Sequence, residues 1–363
     1  MIASTDASAP AHGAANSVSM CPVAHRDGVL ELPDALPLHF GGQLERVRIA
    51  WRVSGDAGPM VAALGGISAG RIVASTAAGK GWWGDIVGEG APLDTSRCQV
   101  LGFDFLGGSG ETTGPVRGQQ DFPSISAYDQ AEILRRLLVH LRIDVLQLIV
   151  GASYGGMVAL AFAERFAPLV RHVVVISAAD RSHPMSTAWR SVQRAVVRYA
   201  LKNNDGPEGL RLARALAMAT YRSSEEFAAR FSGDAVQADG RFQFPVENYL
   251  LARGDAYAAS YIPEAFVCLS ESIDLHRVDA ANITTPSTLV AVREDQLVPF
   301  ADMQSLHSRL AGPSELVSIS SLYGHDAFLK EATTLRSVFA SALNTAVSAP
   351  TSGKGAGNGA QRV

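Results

Sequence analysis

The chain has 363 residues, of which 47% are hydrophobic and 18% charged, and its formal net charge is −4. This composition allows a packed globular core and excludes a wholly disordered chain. The slightly acidic balance, without a basic stripe, argues against nucleic-acid partners and against binding to an anionic membrane surface. No apolar run in the sequence is long enough to cross a bilayer, so we expect no membrane-spanning segment.

The three cysteines, Cys21, Cys98 and Cys268, stand at unrelated spacings. This pattern predicts neither a disulfide framework nor a metal site, and it fits a reducing cytoplasm. The first 25 residues lack the basic and apolar regions of a signal peptide. Because residues 1–25 and 346–363 are rich in small residues, we expect both segments to be disordered tails.

Short apolar runs alternate with helical patterns along much of the chain. The runs expected to form strands are Met60–Gly66, Cys98–Asp104, Val145–Gly151, His172–Ala178, Ser287–Val292 and Glu315–Ser320. Their nearly continuous apolar character is typical of parallel strands that are covered on both faces. One helix is predicted after Ser126, where Ser126 and Asp129 match a capping box. The alternation predicts an α/β fold with a doubly wound, mostly parallel sheet.

From residue 181 to residue 282 the strand patterns stop and helical segments replace them. We interpret this segment as a helical lid inserted into an α/β core formed by residues 26–180 and 283–345. Ligands bind at the carboxyl ends of parallel strands, so a lid at that position would enclose a pocket.

The segment LIVGASYGGMVAL, Leu148 to Leu160, places Ser153 among small residues between a strand pattern and a helix pattern. Gly151 to Gly155 match Gly-x-Ser-x-Gly, the sequence of a nucleophile elbow, in which the neighbouring strand and helix leave room only for glycine. The alternative is a plain tight turn with an incidental serine. The strand before the turn and the helix after it favour the elbow, so Ser153 is the predicted nucleophile.

An elbow serine needs a base and an acid that orients it, in the chain order serine, acid, histidine. Among the nine histidines, His325 follows the last core strand on a loop, and we predict it as the base. The acid should follow an earlier strand end. Glu294, Asp295 and Asp180 all do so, and the pattern by itself leaves the choice open.

Acyl transfer also needs hydrogen-bond donors for the oxyanion that forms on the substrate carbonyl. One donor should be the N–H of the residue after the nucleophile, Tyr154. The other should come from the loop after an early strand, LGGISAG, in which Ile67 is the expected donor. With these groups the serine would form an acyl-enzyme and pass the acyl group to a second substrate.

Several segments outside the elbow resemble the homoserine O-acetyltransferase family, a branch of the α/β-hydrolase fold. The similar segments are GWWGDIVGEG, LGGSGETTGP, DFPSIS, TYRSSEEFAARF, FPVENYL and YGHDAFL. The likeness extends from about His39 to Leu343. It implies an α/β-hydrolase fold with a helical lid, and an enzyme that takes acetyl-CoA as co-substrate and holds no bound cofactor.

The resemblance also implies roles for single residues. Ser153 matches the nucleophile, His325 the base and Asp295 the acid of the triad, which favours Asp295 over Asp180. The implied reaction is acyl transfer to the hydroxyl of L-homoserine, a step of methionine synthesis, in the cytoplasm. The resemblance further suggests a homodimer formed through the helical insertion.

Two further residues match groups that bind the amino-acid substrate in this family. Arg222 matches the arginine that binds the substrate carboxylate, a task that suits a bidentate guanidinium. Asp326, next to the base, matches the carboxylate that binds the substrate ammonium group. The alternatives are a surface ion pair for Arg222 and a turn cap for Asp326.

The glycine-rich loop departs from the family pattern. The family usually has Cys-x-Gly, whereas this chain has Ser109, Gly110 and Glu111. In relatives that use succinyl-CoA, the variable position is an arginine, which looks suited to the additional carboxylate. By resemblance, that position corresponds to Gly110 in this chain. Because the negative charge of Glu111 should repel a succinyl group, acetyl-CoA is the predicted donor. Succinyl-CoA as donor and L-serine as acceptor remain alternatives.

Two other classes of function explain fewer of these residues. An esterase or thioesterase on the same scaffold would use the triad with water, but it needs no zwitterion site such as Arg222 with Asp326. A non-catalytic binding protein should lack a member of the triad, and all three members are present.

Overall fold

A computed structural model describes residues 24–77 and 79–348. Its centre is an eight-stranded sheet in the spatial order β1-β2-β4-β3-β5-β6-β7-β8. The strands are β1 (His25–Glu31), β2 (Arg48–Ser54), β3 (Met60–Leu64), β4 (Gln99–Phe103), β5 (Leu148–Ala152), β6 (Val173–Ile176), β7 (Ser287–Val292) and β8 (Ser314–Ile319). Strand β2 runs antiparallel to both of its neighbours, and every other neighbouring pair is parallel.

The helices follow the strands in the order expected for a doubly wound fold. The described α-helices are α1 (Ala127–Leu141), α2 (Tyr154–Arg165), α3 (Pro184–Lys202), α4 (Gly206–Tyr221), α5 (Ser224–Arg230), α6 (Pro245–Ala258), α7 (Pro263–Leu275), α8 (Phe300–Arg309) and α9 (Ala332–Ser348). Short 3-10 helices are Ala167–Leu169, Ala280–Asn282 and Gly324–Leu329. Two-residue or three-residue strands pair Leu36–Pro37 with Gln43–Leu44, Val87–Gly88 with Leu93–Asp94, and Val236–Ala238 with Arg241–Gln243.

The central strands are buried because helices cover both faces of the sheet. All residues of β3, β5, β6 and β7 are buried. On one face the core includes side chains of α1, α2 and α8, and on the other face it includes side chains of α9 and the segment before β4. The predicted mostly parallel sheet is therefore confirmed, and its continuous apolar strands have the burial that parallel strands require.

Helix α1 begins where the sequence predicts. The Oγ of Ser126 accepts a hydrogen bond from the backbone N–H of Asp129 at 3.2 Å. The carboxylate of Asp129 accepts one from the backbone N–H of Ser126 at 2.7 Å. The capping box is thus complete, and it satisfies two backbone donors that a helix end would otherwise leave without partners.

Helices α3 to α7 lie between β6 and β7 in the chain, within the predicted insertion at residues 181–282. They have an apolar centre of their own, to which Val197 of α3, Leu210 and Ala213 of α4, and Phe266 of α7 contribute. The insertion therefore holds its helices together partly by its own buried contacts, as a lid requires.

The predicted tails overlap ordered elements at their inner ends. Strand β1 begins at His25, inside the expected tail of residues 1–25, and α9 extends to Ser348, inside the expected tail of residues 346–363. The rest of both tails lies outside the described residues. In the part of the chain that the structure describes, no helix is long and apolar enough to cross a bilayer.

Candidate active site

The predicted nucleophile lies on a sharp turn between β5 and α2. Ser153 has φ 54° and ψ −122°, a conformation that L-residues adopt at a cost. A Cβ atom on Gly155 would lie 2.3 Å from the carbonyl oxygen of Leu64, and one on Gly151 would lie 2.2 Å from the carbonyl oxygen of Gly155. The elbow therefore needs glycine at both positions, and it presents the serine at the carboxyl ends of the strands.

Three predicted residues from separate loops meet at this turn. The Nε2 of His325 lies 2.8 Å from the Oγ of Ser153, and its Nδ1 lies 2.8 Å from the Oδ2 of Asp295. The other carboxylate oxygen of Asp295 accepts hydrogen bonds from the backbone N–H groups of Leu297 at 2.8 Å and Val298 at 3.0 Å. This arrangement can hold the imidazole in the orientation that takes a proton from the serine.

The environment of His325 favours its protonated form. Burial lowers the pKa of His325, but the charge of Asp295 and its hydrogen bond, together with the charge of Asp326, outweigh burial and raise the pKa above the ordinary value. A buried carboxylate that contacts Nδ1 of the imidazole can therefore stabilise an imidazolium at this position.

The two other candidate acids bind elsewhere. Asp180 accepts hydrogen bonds from Arg309 at 2.7 Å and from Arg181 at 3.1 Å. The carboxylate of Glu294 is bound to the hydroxyl and backbone of residues 320 and 321. Asp295 is thus the candidate that the structure places against the base.

The predicted oxyanion donors adjoin the elbow. Tyr154 is the first residue of α2, so its N–H has no carbonyl one turn earlier within the helix. Ile67 lies in the wall of the pocket beside Ser153, and its carbonyl accepts a hydrogen bond from the hydroxyl of Tyr261 at 2.9 Å. Gly155 donates to the carbonyl of Gly65 at 2.8 Å, which ties the elbow to this loop.

The triad opens into a pocket between the strand ends and the lid. Its wall contains residues of the loop after β3, the loop after β6, helices α3, α4 and α7, and the loops that carry the acid and the base. Polar members of the wall are Ser68, Ser153, Ser177, Arg181, Ser182, His183, Arg190, Gln193, Arg214, Thr220, Ser270, Asp302, His325 and Asp326. The predicted nucleophile and base therefore share one pocket with several charged groups.

Comparison with known proteins agrees with this geometry. Residues 65–332 match the model of the alpha/beta hydrolase fold family. Homoserine O-succinyltransferase of Xanthomonas campestris is 40% identical over 318 residues, which cover 87% of this chain and 84% of that protein. The chain belongs to the homoserine O-acyltransferase family. Another member, homoserine O-acetyltransferase of Thermobifida fusca, is 32% identical and covers 83% of this chain and 89% of its own length.

Among solved structures, esterase E22 superimposes with a TM-score of 0.80 at 20% identity and covers 88% of this chain and 100% of its own. At that identity the likeness concerns the fold. The acyltransferase family and the hydrolase fold thus agree with the elbow and the triad, and the rest of the pocket must distinguish an acyltransferase from an esterase.

In this acyltransferase, Arg222 lies behind the pocket wall. Its Nε donates to Asp326 at 3.0 Å, and its Nη1 donates to Glu226 at 3.1 Å and 3.2 Å. Its guanidinium also lies 5.2 Å from the ring centre of Tyr323. Asp326 itself faces the pocket, whereas Arg222 is absent from the residues that line it. Arg222 therefore holds Asp326 in place, and both of its carboxylate partners belong to the protein.

A second arginine, which the sequence analysis did not select, faces the pocket directly. Arg214 of α4 lies 5.3 Å from the ring centre of Tyr221 and 4.7 Å from that of Tyr257. Within residues 24–77 and 79–348, no carboxylate forms an ion pair with it. The sequence did hold a signal, because Arg214 interrupts the apolar stripe of α4 that includes Leu210 and Ala217.

The glycine-rich loop lies outside the pocket wall. Asp104, at the end of β4, accepts a hydrogen bond from the backbone N–H of Glu111 at 2.9 Å, and Arg71 binds both carboxylates. A Cβ atom on Gly110 would lie 2.5 Å from Asp104 Oδ2. Neither Gly110 nor Glu111 lines the pocket, so the charge of Glu111 is directed to Arg71.

The wall formed by α3 carries surplus positive charge. Arg190 and Arg194 both bind Asp274, at 2.7 Å and 2.5 Å, so two cations share one carboxylate. Burial raises the pKa of Asp274, but the charges and hydrogen bonds of the arginines outweigh burial and hold it below the usual range. Arg190 lines the pocket, and its charge is only partly balanced there.

Proposed function

We propose that this protein transfers an acyl group from a coenzyme A thioester to the hydroxyl of L-homoserine through an acyl-Ser153 intermediate. The observation that carries the proposal is the combination of a complete triad with Arg214 and Asp326 in one pocket wall. A cation and an anion beside the nucleophile match the carboxylate and the ammonium group of an amino acid. An esterase has no need of such a pair.

In the first half-reaction, Ser153 attacks the thioester carbonyl while His325 takes the proton of the serine hydroxyl. The amides of Tyr154 and Ile67 stabilise the oxyanion. The bond to sulfur then breaks, the proton passes from His325 to the departing thiolate, and free CoA leaves. The product of this half-reaction is an ester between the acyl group and Ser153.

In the second half-reaction, His325 takes the proton of the homoserine hydroxyl, and the hydroxyl oxygen attacks the acyl-serine carbonyl. The ester bond to Ser153 breaks, and the serine recovers its proton from His325. The released O-acylhomoserine would serve methionine synthesis, as the family implies. Asp295 accepts the hydrogen bond of the Nδ1–H group of His325 and stabilises the imidazolium in both steps.

For the acceptor site we propose Arg214, and not Arg222, as the group that binds the substrate carboxylate. Arg222 already has two carboxylate partners, whereas Arg214 faces the pocket between two aromatic rings without one. A guanidinium held near two aromatic rings by cation–π contacts is oriented before the substrate arrives, which reduces the entropy lost on binding. Asp326 would then bind the ammonium group, with Arg222 as its support.

For the donor we place succinyl-CoA ahead of acetyl-CoA. The sequence favours acetyl-CoA through repulsion of a succinyl group by Glu111, but that carboxylate is bound to Arg71 outside the pocket wall. A succinyl group brings a second carboxylate into the pocket, and Arg190 offers partly unbalanced positive charge for it. The relative from Xanthomonas campestris bears the name of a succinyltransferase.

The test is CoA release by the purified protein with acetyl-CoA or succinyl-CoA, each with homoserine, with serine and without an acceptor. We expect one equivalent of CoA to be released without an acceptor, sustained release only with homoserine, and faster sustained release with succinyl-CoA. Preference for acetyl-CoA would overturn the donor assignment alone. Equal release without an acceptor would identify a thioesterase and overturn the roles of Arg214 and Asp326.

We also propose a homodimer formed through the insertion, as the family resemblance suggests. On α3, Met185, Val192 and Tyr199 are spaced by seven residues and are 56%, 53% and 73% exposed. An apolar stripe of this kind is typical of an interface between subunits. Light scattering should give twice the chain mass, and Val192→Glu should reduce it to the monomer mass; a monomeric wild type would contradict the proposal.

A further inference from the structure

One buried hydroxyl in the pocket wall has no role in the mechanism above. Ser177 follows β6 and is 1% exposed, and its Oγ has no hydrogen-bond partner among the described residues. The residue lines the same pocket as Ser153 and His325. Buried hydroxyls are nearly always paired in folded proteins, so an unpaired one in the wall of a binding pocket points to a ligand.

The backbone fixes Ser177 beside the nucleophile. Ile176 pairs with Ala152 across the parallel strands β6 and β5, and the next residues in the two strands are Ser177 and Ser153. Ser153 donates a backbone hydrogen bond to Ile176 at 2.9 Å, and Ser177 donates one to Val290 at 3.1 Å. The two serines therefore leave neighbouring strands at the same level.

Ser177 shares a second property with the nucleophile. Its φ is 50°, and Ser153 has φ 54°, both in the left-handed region. Among the described non-glycine residues with positive φ, these two line the pocket. A strained backbone and an unpaired buried hydroxyl both reduce stability, and their coincidence at a binding site indicates a function.

The strand order determines which part of the substrate lies near Ser177. Strand β5 lies between β3 and β6, and the loop after β3 carries Ile67, the predicted oxyanion donor. When the carbonyl oxygen of the acyl-serine points to that loop, the planar ester directs the rest of the acyl group to the opposite side. Ser177 stands on that side, at the end of β6.

We propose that the Ser177 hydroxyl donates a hydrogen bond to a polar acyl group carried by Ser153, and that it favours a carboxylate-bearing acyl chain over acetyl. An acetyl group offers only a methyl to this hydroxyl, which then stays unpaired, whereas a dicarboxylic acyl group brings acceptor oxygens into the same space. The inference rests on the proposed acyl transfer and assigns a specificity residue to it.

The test compares kcat/KM for succinyl-CoA and for acetyl-CoA, at saturating homoserine, in the wild type and in Ser177→Ala. We expect roughly a tenfold loss with succinyl-CoA, the size typical of a hydrogen bond to a charged group, and less than about a twofold change with acetyl-CoA. Ser54→Ala removes an equally buried hydroxyl in β2, outside the pocket, and should leave the ratio of the two donors unchanged.

Ser177→Gly separates a binding role from a structural one. Glycine removes the hydroxyl and also accepts φ 50° without strain. We therefore expect the same change in donor ratio as for Ser177→Ala, and a higher Tm than that of Ser177→Ala. Equal losses with both donors, an unchanged ratio, or a wild type that rejects succinyl-CoA would overturn the proposal. A wild type that acylates no acceptor at all would instead overturn the proposed function.

Discussion

The Nε2 of His325 and the Oγ of Ser153 are 2.8 Å apart, although 172 positions separate the two residues in the chain. The serine follows β5 and the histidine follows β8, so both lie at the carboxyl ends of the parallel strands. The parallel arrangement of these strands thus brings the predicted catalytic residues together, and the helical insertion between β6 and β7 covers the space above them.

Asp295→Asn should retain the fold and lose most of the activity. An amide can keep the two backbone hydrogen bonds from Leu297 and Val298, but it turns an N–H group toward His325 and favours the wrong imidazole tautomer. We expect kcat to fall by about 10³ to 10⁴. Steady-state kinetics and circular dichroism measure the two properties.

Glu294→Gln is the matched control, because Glu294 is the adjacent carboxylate and is bound away from the base. Its kcat should stay within about twofold of the wild type, since the amide oxygen of glutamine can still accept the hydrogen bond from the backbone N–H of Ser321. Similar losses in both variants would show that the loop as a whole, and not the Asp295 carboxylate, is required.

The pH dependence should reveal the raised pKa of His325. The base acts when neutral, so kcat/KM should rise with pH through a midpoint above the ordinary histidine value of about 6.5. Because the folded-state pKa exceeds the unfolded one, this group stabilises the fold fully below the unfolded pKa, and that stability is lost as pH rises through the folded pKa. In Asp295→Asn the pKa of His325 should fall, because the charge that raises it is removed. An unchanged pKa in an NMR titration of His325 would show that Asp295 does not raise it.

Arg214→Ala should impair the second half-reaction and spare the first. Loss of the proposed carboxylate partner should raise KM for homoserine by about 30-fold or more, which corresponds to roughly 2 kcal/mol for a charged hydrogen-bonded pair. The burst of CoA release without acceptor should persist. Arg222→Ala removes the residue that binds Asp326, and it should raise KM for homoserine less than Arg214→Ala does. A larger increase for Arg222→Ala would identify Arg222 as the ligand of the substrate carboxylate.

Two substitutions test whether Arg190 or Glu111 determines the choice between succinyl-CoA and acetyl-CoA. Arg190→Gln should lower kcat/KM for succinyl-CoA by about tenfold and that for acetyl-CoA by much less, since only succinyl has a carboxylate to bind. Glu111→Gln should change the donor ratio by less than about twofold, because Glu111 is bound to Arg71 outside the pocket wall. A large gain in succinyl-CoA use by Glu111→Gln would support the repulsion predicted from sequence.

Gly155→Ala should destabilise the elbow. The added Cβ would lie 2.3 Å from the Leu64 carbonyl oxygen, a backbone atom that cannot move without shifting β3. We expect a loss of about 2 kcal/mol or more in the free energy of unfolding, together with lower kcat. Gly233→Ala, whose Cβ would meet only Pro245 at 3.7 Å, should unfold as the wild type does.

Much of the fold was predictable because its signals are local. The buried strands are continuous apolar runs, and α1 carries its own capping box. The sequence did not predict strands β1 and β2. Strand β1 consists of exposed or half-buried residues, several of them charged, so its pattern is that of a polar segment. Their pairing with each other and with β4 depends on contacts between distant segments that no local pattern encodes.

Ser153 and His325 were predictable from chain order and strand ends, and the family resemblance selected Asp295 and also Asp326, which faces the pocket. The pocket-facing Arg214 was not predicted. Arg214 lies in α4, and Arg222 follows the last residue of that helix, eight positions later. The likeness of motifs alone selected Arg222, which binds Glu226. Orientation around α4 decides which guanidinium enters the pocket. The strain and the unpaired hydroxyl of Ser177 likewise exist only once the strands are paired.

Transfer through acyl-Ser153 to an amino-acid hydroxyl can be tested by intact-protein mass spectrometry after the protein is mixed with succinyl-CoA. We expect a mass increase of one succinyl group that is absent in Ser153→Ala. Addition of homoserine should remove this adduct and form one equivalent of O-succinylhomoserine. An adduct that decays equally fast without homoserine, or product formed without any adduct, would contradict transfer through acyl-Ser153 to an amino-acid hydroxyl.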